Sequence, residues 1–102
     1  IWFAHADRAR KEGISDAFVD ALRDKKPLPK LQGAEQIVVD YATELFGTNR
    51  VSDATFKTAI DHFGAMLLTE LTTMMGYYSM LALNVNAFEV DVPTGGEAPL
   101  LV

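Results

Sequence analysis

The sequence predicts an all-α protein, an oligomeric bundle of about five helices followed by an extended C-terminal tail. Three observations predict this class. Apolar residues recur at helical spacing, Ser residues stand at helix-cap positions before two of these runs, and Gly or Pro separates the runs. The length of 102 residues suits one domain spanning 1–102, and the absence of Cys excludes disulfides and thiolate metal sites.

The first two helices are predicted on either side of Gly13. The first spans about Trp2–Glu12 and ends at Gly13, a residue that commonly follows a helix. Ser15 is a suitable N-cap for the second helix, and Ile14 and Val19 occupy the two positions of a hydrophobic staple. These signals predict two consecutive helices separated by a short break at Gly13.

The middle of the chain is predicted to form a loop and a third helix. The second helix is expected to end at 23–25, and the loop 25–33 contains two of the four prolines. The third helix is predicted over 34–45, where an apolar residue recurs every four positions. The residues 47–49, Gly-Thr-Asn, are expected to break it.

The last two helices are predicted over the most apolar part of the chain. Ser52 is expected to cap the fourth helix, which ends near Gly64, and the fifth follows over 65–85. Because Glu70 and several hydroxyl and amide groups interrupt the fifth helix, we expect a buried core helix rather than a membrane span. The apolar end Pro99–Val102 is expected to pack across a subunit boundary.

Charge is distributed unevenly along the chain. Residues 1–30 carry seven basic and five acidic groups, whereas residues 31–102 carry two basic and nine acidic groups, giving a net charge of −5. Because acidic proteins are repelled by phosphate backbones, we expect no nucleic-acid partner. The absence of a signal-peptide pattern and of a membrane span predicts a cytoplasmic location. Because Ile1 lies inside a predicted helix without a cap, we expect a longer native N-terminus.

The candidate functional residues lie on the first and fifth helices. Glu70, Tyr77 and two further polar residues, Thr73 and Asn84, fall within about a 60° sector of the fifth helix. Such a stripe is either a hydrogen-bonded network between helices or the wall of a polar pocket. His5, beside Trp2, is either a core or interface histidine or a group that exchanges protons near neutral pH.

The order of several short motifs along the chain resembles that of a known family. The motifs are Trp2-Phe3-Ala4-His5-Ala6, Gly13-Ile14, Val51-Ser52-Asp53-Ala54, His62-Phe63-Gly64, Glu70-Leu71, Gly76-Tyr77-Tyr78 and Asn86-Ala87-Phe88-Glu89. Together they resemble the carboxymuconolactone decarboxylase family, which has an alkylhydroperoxidase D-like helical fold. The resemblance covers essentially the whole chain and implies homo-oligomers, as dimers, trimers or hexamers, with sites near subunit boundaries.

The peroxidase branch of this family implies chemistry that the chain does not carry. That branch uses a Glu, a Cys-x-x-Cys pair and a His three residues beyond the second Cys. His5 resembles this His by position, and Ile1 stands where the second Cys would be. Because the sequence contains no Cys, thiol peroxidase activity is not expected.

The decarboxylase branch implies a cofactor-free and metal-free lyase acting on a small lactone or carboxylic acid. For such a reaction His5 is predicted as the acid that returns a proton, and Trp2 or Tyr77 as substrate-binding donors. Glu70 is predicted to orient His5. Two alternatives remain open: a peroxidase-related member with altered or lost activity, and a purely structural or binding oligomer.

Overall fold

The computed structural model describes residues 2–92, 95, 96 and 99, and in this part every regular element is a helix. The elements are α1 (Trp2–Lys11), α2 (Asp16–Arg23), α3 (Ala34–Thr48) and α4 (Asp53–Ala87). The all-α prediction is therefore confirmed. The fourth and fifth predicted helices both fall within α4, which contains a non-helical residue, Gly64, at the boundary predicted between them.

Two helices, α2 and α4, begin directly after a Ser residue that the sequence predicted as an N-cap. The Ser15 hydroxyl accepts a hydrogen bond from the backbone N–H of Phe18 at 3.2 Å. The Ser52 hydroxyl accepts one from the backbone N–H of Thr55 at 3.3 Å. Such bonds satisfy N–H groups of the first helical turn, and the N–H of Phe18 is also within 3.1 Å of the Ser15 carbonyl. Both predicted N-caps are thus confirmed.

The third helix continues beyond its predicted end. It includes Gly47 and Thr48, which we expected in the break, and ends at Asn49. Asn49 adopts a left-handed conformation, φ 59° and ψ 21°, and its N–H donates to the carbonyl of Leu45. Because Asn tolerates this conformation better than most residues, it ends the helix, whereas an internal Gly only weakens one.

Gly64 lies at the predicted boundary between the fourth and fifth helices. Gly64 has φ 77° and ψ 167°, which is non-helical, and helical structure continues on both sides of it. Only Gly adopts such a conformation without severe steric cost. The helix then extends to Ala87, two residues beyond its predicted end, and residues 90–92 after it are exposed and lie outside regular structure.

The chain divides into two compact units. The first comprises Ile1–Pro29 and Leu81–Val102, and the second comprises Lys30–Met80. The second unit has a core in which Tyr41, Ala59 and Leu68 are buried. Partly buried apolar side chains pack against this core: Ile37, Leu45, Val51, Ile60, Phe63, Leu71 and Met75. Of the end segment Pro99–Val102, only Pro99 is among the described residues.

The length and hydropathy of the helices bear on the predicted absence of a membrane span. Within the described part of the chain, no helix is both long enough and apolar enough to cross a membrane. The many polar side chains of α4 account for this result, as the sequence indicated.

Candidate functional site: an apolar cavity beside His5

The first unit contains a cavity of about 390 Å³ between α1, α2 and the last turns of α4. Its described lining consists of Trp2, His5, Ala6, Ala9, Ile14, Phe18, Val19, Leu22 and Ala82. The cavity is partly open to solvent, and its surface is almost entirely apolar. Its volume lies in the range of about 300–1,000 Å³ that is typical of small-molecule sites.

Helical periodicity explains why these residues meet at one place. On α1, Trp2, His5 and Ala9 are spaced by three and four residues, which places their side chains on one face of the helix. On α2, Phe18 and Leu22 are four residues apart and lie on the face that turns toward the same space. Two amphipathic faces therefore form the walls.

The floor of the cavity is formed by the best-buried side chains of this unit. Val19 is 2% exposed and Ala6 is 3% exposed. Ile14 and Val19, which the sequence predicted as a hydrophobic staple at the start of α2, both line the cavity. Both staple positions therefore contribute to the wall of the cavity.

His5 is the one titratable side chain in the described lining. It lines the cavity while remaining exposed to solvent, so it lies where the cavity opens. Imidazole is a common general acid and base in proteins. Trp2, the single tryptophan of the chain, lines the same cavity and brings an indole N–H donor.

The connection between α1 and α2 is reinforced by an ionic cluster. Arg10 reaches from α1 to Asp16 at 2.6 Å and to Asp20 at 2.8 Å. Oδ1 of Asp20 is also 3.3 Å from Nη1 of Arg23. Nε of Arg23 lies 2.9 Å from Oδ1 of Asp24. The hydrogen bond from Arg23 to Asp24 lowers the pKa of that carboxyl. The cluster stabilises the helix pair that encloses the cavity.

The structure places the other two predicted site residues in the second unit. Glu70 and Tyr77 lie on α4, and both are exposed, as are the other members of the predicted polar stripe, Thr73 and Asn84. The Tyr77 ring makes an edge-to-face contact with Tyr78, with the ring centroids 5.6 Å apart. The predicted pairing of Glu70 with His5 stays a prediction, as does the contact of Tyr77 with a substrate.

Reasoning from the sequence missed the contribution of α2 to the cavity. Phe18 and Leu22 were assigned only to a helix, yet both line the site. Their spacing of four residues could have predicted this contribution, because it places both side chains on one apolar face of the second helix. A smaller cavity of about 150 Å³, between α3 and α4, contains none of the predicted site residues in its described lining.

Neither a metal-ligating cluster nor a known relative identifies the chemistry of the site in the described part of the chain. In the part of the chain that the structure describes, no three His, Asp or Glu side chains are grouped so as to hold a metal ion. Comparisons of the chain with family models, with curated proteins and with solved structures gave no match.

Proposed function

We propose that the chain is a subunit of a carboxymuconolactone decarboxylase-like enzyme that decarboxylates a small unsaturated lactone acid without a cofactor. The observation that carries the proposal is the apolar cavity, of a size suited to such a molecule, with His5 at its opening. The motif order of the sequence supports the same reaction class. A cytoplasmic location stays a prediction from the sequence.

An apolar cavity favours loss of CO2 for a physical reason. A carboxylate carries a localised charge that loses hydration in apolar surroundings. As the bond to the carboxyl carbon breaks, its electron pair spreads into the conjugated lactone carbonyl and CO2 leaves uncharged. The reactant is therefore destabilised more than the transition state, in which the charge is dispersed.

His5 supplies the proton that completes the reaction. In its protonated form it pairs with the bound carboxylate and then transfers one proton to the carbon that CO2 has left. The neutral imidazole regains a proton from water at the cavity opening. Trp2 is proposed to donate its indole N–H to the developing oxyanion of the lactone. For Glu70 and Tyr77, which lie in the second unit, the roles of orienting His5 and binding substrate stay predictions from the sequence.

The test is a screen of unsaturated lactone acids for loss of ultraviolet absorbance, with CO2 release measured in parallel. His5→Gln is expected to lower kcat by at least about 100-fold, because general acid catalysis contributes about 10²–10⁴-fold. The matched control is His62→Gln, at the only other histidine, which is expected to retain activity. Circular dichroism verifies that both variants keep their helices.

Two outcomes of this screen contradict the proposal. If His5→Gln retains full turnover, His5 is not the acid. If no lactone acid is decarboxylated although lactones bind beside Trp2, the chain is a binding protein or an altered family member with lost activity. Glu70→Gln and Tyr77→Phe are measured in the same assay, and unchanged kcat and KM would remove both residues from the site.

We also propose that the subunit associates with copies of itself through the exposed face of α4. Between residues 66 and 80 of this helix, five large apolar side chains are each at least half exposed in the single subunit: Met66, Leu67, Met74, Tyr77 and Met80. Most of them lie on the side of the helix away from the buried Leu68, and Glu70, the only charged residue between Asp61 and Glu89, lies on that same side. Several exposed apolar side chains close together on one helix are typical of protein interfaces.

Light scattering tests this association. The protein is expected to form a dimer or a larger assembly, and Met74→Glu is expected to shift it toward the monomer by burying a charge in the interface. Thr43→Glu adds the same charge to the exposed side of α3 and serves as the matched control. A monomeric wild-type protein at high concentration would contradict the proposal.

A further inference from the structure

We infer that residues 25–30, with the sequence Lys-Lys-Pro-Leu-Pro-Lys, bind a protein domain whose groove is lined by aromatic rings and bordered by carboxylates. These residues are called the basic proline segment below. The segment follows α2 and lies outside the described lining of the cavity, so this interaction is independent of the proposed enzymatic function. Three properties of the segment favour such a partner: an extended backbone, exposed prolines and lysines without ion pairs.

The prolines favour an extended backbone of the polyproline II type. Each proline ring fixes its own φ at about −65° and keeps the preceding residue out of the helical region. Pro27 and Pro29 therefore restrict four consecutive residues, 26–29, and the chain forms neither helix nor strand over 26–32. A polyproline II backbone needs no internal hydrogen bonds and has about three residues per turn.

Burial along the segment follows this period of three. Leu28 and Leu31 are half-buried, whereas each of the other residues from 25 to 30 is exposed. With three residues per turn, one face of the segment turns inward and two faces turn outward. One outward face carries Lys26 and Pro29, and the other carries Pro27 and Lys30. Each outward face thus presents a proline ring beside a lysine.

Hydrogen bonds hold the chain at both ends of the segment. At its start, the N–H of Lys26 donates to the carbonyl of Ala21 in α2 at 2.9 Å. Directly after its end, the N–H of Leu31 donates to Oε1 of Gln36 at 2.8 Å. Because the segment is already ordered, a partner that binds it loses less conformational entropy than one that binds a flexible peptide.

The lysines of the segment carry positive charge that no carboxylate of the described chain compensates at close range. Five of the nine basic residues form ion pairs: Arg8, Arg10, Lys11, Arg23 and Lys57. Lys25, Lys26 and Lys30 form none with any described residue, although the chain has a net charge of −5.

A groove with aromatic rings and carboxylates complements both kinds of side chain. Proline rings pack against aromatic faces, and a lysine ammonium group is attracted to a carboxylate or to the face of an aromatic ring. SH3 and WW domains bind polyproline II segments in aromatic grooves of this kind. The basic proline segment therefore suits a domain of this type with an acidic border.

NMR titration with purified SH3 and WW domains tests the interaction. The probes are domains with acidic residues beside the groove, and each is added to the isotopically labelled full chain up to about 1 mM. We expect at least one domain to shift the amide signals of the basic proline segment with a Kd below about 1 mM.

Paired variants separate the contribution of shape from that of charge. Pro29→Ala frees the backbone without changing the charge and is expected to raise the Kd at least about 5-fold. Its control is Pro99→Ala, at an exposed proline outside the segment. Lys26→Glu is expected to raise the Kd at least about 10-fold. Its control is Arg50→Glu, which makes the same charge change at another exposed residue without an ion pair in the described chain.

The inference is supported if Pro29→Ala and Lys26→Glu both weaken binding and both controls bind like the wild type. It is overturned if no domain shifts the signals of the segment at the highest concentration. It is also overturned if Lys26→Glu abolishes binding while Pro29→Ala has no effect, because dependence on charge alone indicates attraction to any anionic surface, such as a membrane or a nucleic acid. Circular dichroism verifies that all four variants keep their helices.

Discussion

Arg10 donates from Nη2 to Oδ1 of Asp20 across 2.8 Å, and this contact joins α1 to α2 beside the cavity. The Arg10 side chain is 22% exposed and that of Asp20 is 46% exposed, so the pair is more shielded than an ordinary surface ion pair. The same guanidinium also donates to Asp16 at 2.6 Å. A single side chain thus connects α1 to two positions on α2.

Replacing Arg10 is expected to loosen this helix pair. Arg10→Gln removes two charge-assisted hydrogen bonds, and we expect it to lower the free energy of unfolding by about 1–2 kcal/mol in a urea titration. Arg8→Gln removes the exposed pair with Glu12 and is expected to cost at most about 0.5 kcal/mol. If the two variants lower the free energy of unfolding equally, the bonds from Arg10 to α2 stabilise the protein no more than an exposed ion pair does.

The hydroxyl groups of Tyr41 and Thr72 lie 2.8 Å apart in the core of the second unit. Thr72 donates to the carbonyl of Leu68 at 2.7 Å, so Tyr41 donates to Thr72. Tyr41→Phe removes one donor and is expected to cost about 1 kcal/mol. Thr72→Val is expected to cost more, because it leaves the hydroxyl of Tyr41, a residue 5% exposed, without its acceptor. Thermal unfolding measures both, and a larger loss from Tyr41→Phe would contradict this arrangement.

Glu44 makes the stability of the second unit depend on acid pH. Hydrogen bonds from the side chains of Thr55 and Ser52 lower the pKa of Glu44. A pKa that is lower in the folded state means that the ionised carboxylate contributes stability at neutral pH, and this contribution is lost as the pH falls through the folded-state pKa. Glu44→Gln is therefore expected to destabilise the protein at pH 7 and to match the wild type only in acid, once the pH lies below the lowered folded-state pKa.

The origin of this pH dependence is checked with a second substitution. In a Thr55→Val background one of the two hydroxyl donors is absent, so Glu44→Gln is expected to have a smaller effect at neutral pH. Urea midpoints at neutral and acid pH, measured for all four proteins, complete the comparison. A Glu44→Gln effect that is independent of pH would show that the pKa of this carboxyl is the same in the folded and unfolded chains.

Two glycines are expected to respond to alanine with opposite signs. Gly64 has φ 77° and ψ 167°, so Gly64→Ala forces a side chain into a strained conformation and is expected to destabilise by about 1–3 kcal/mol. Gly47 lies inside α3, and an added Cβ meets nothing within 4 Å. Gly47→Ala is therefore expected to stabilise by about 0.5–1 kcal/mol. Stabilisation by Gly64→Ala would mean that a regular helix replaces the irregular backbone.

Local chemistry explains which parts of the fold the sequence predicted well. Ser15 and Ser52 cap helices through bonds to backbone groups three residues away, and Gly64 takes a conformation that other residues avoid. Such interactions lie within a few residues, so the pattern alone contains them. The end of α3 was placed too early because Gly47 and Asn49 are both residues that commonly end helices, and the backbone conformation at Asn49 decides between them.

By itself, the sequence determined the all-α class, the two Ser caps and the presence of His5 and Trp2 on one face of the first helix. Only the tertiary structure decided that α2 faces them with Phe18 and Leu22 and encloses an apolar cavity. It also decided that the basic residues of α1 and α2 pair with neighbouring carboxylates. The physical reason is that helical periodicity depends on neighbours in sequence, whereas a cavity and its charge depend on how separate helices pack.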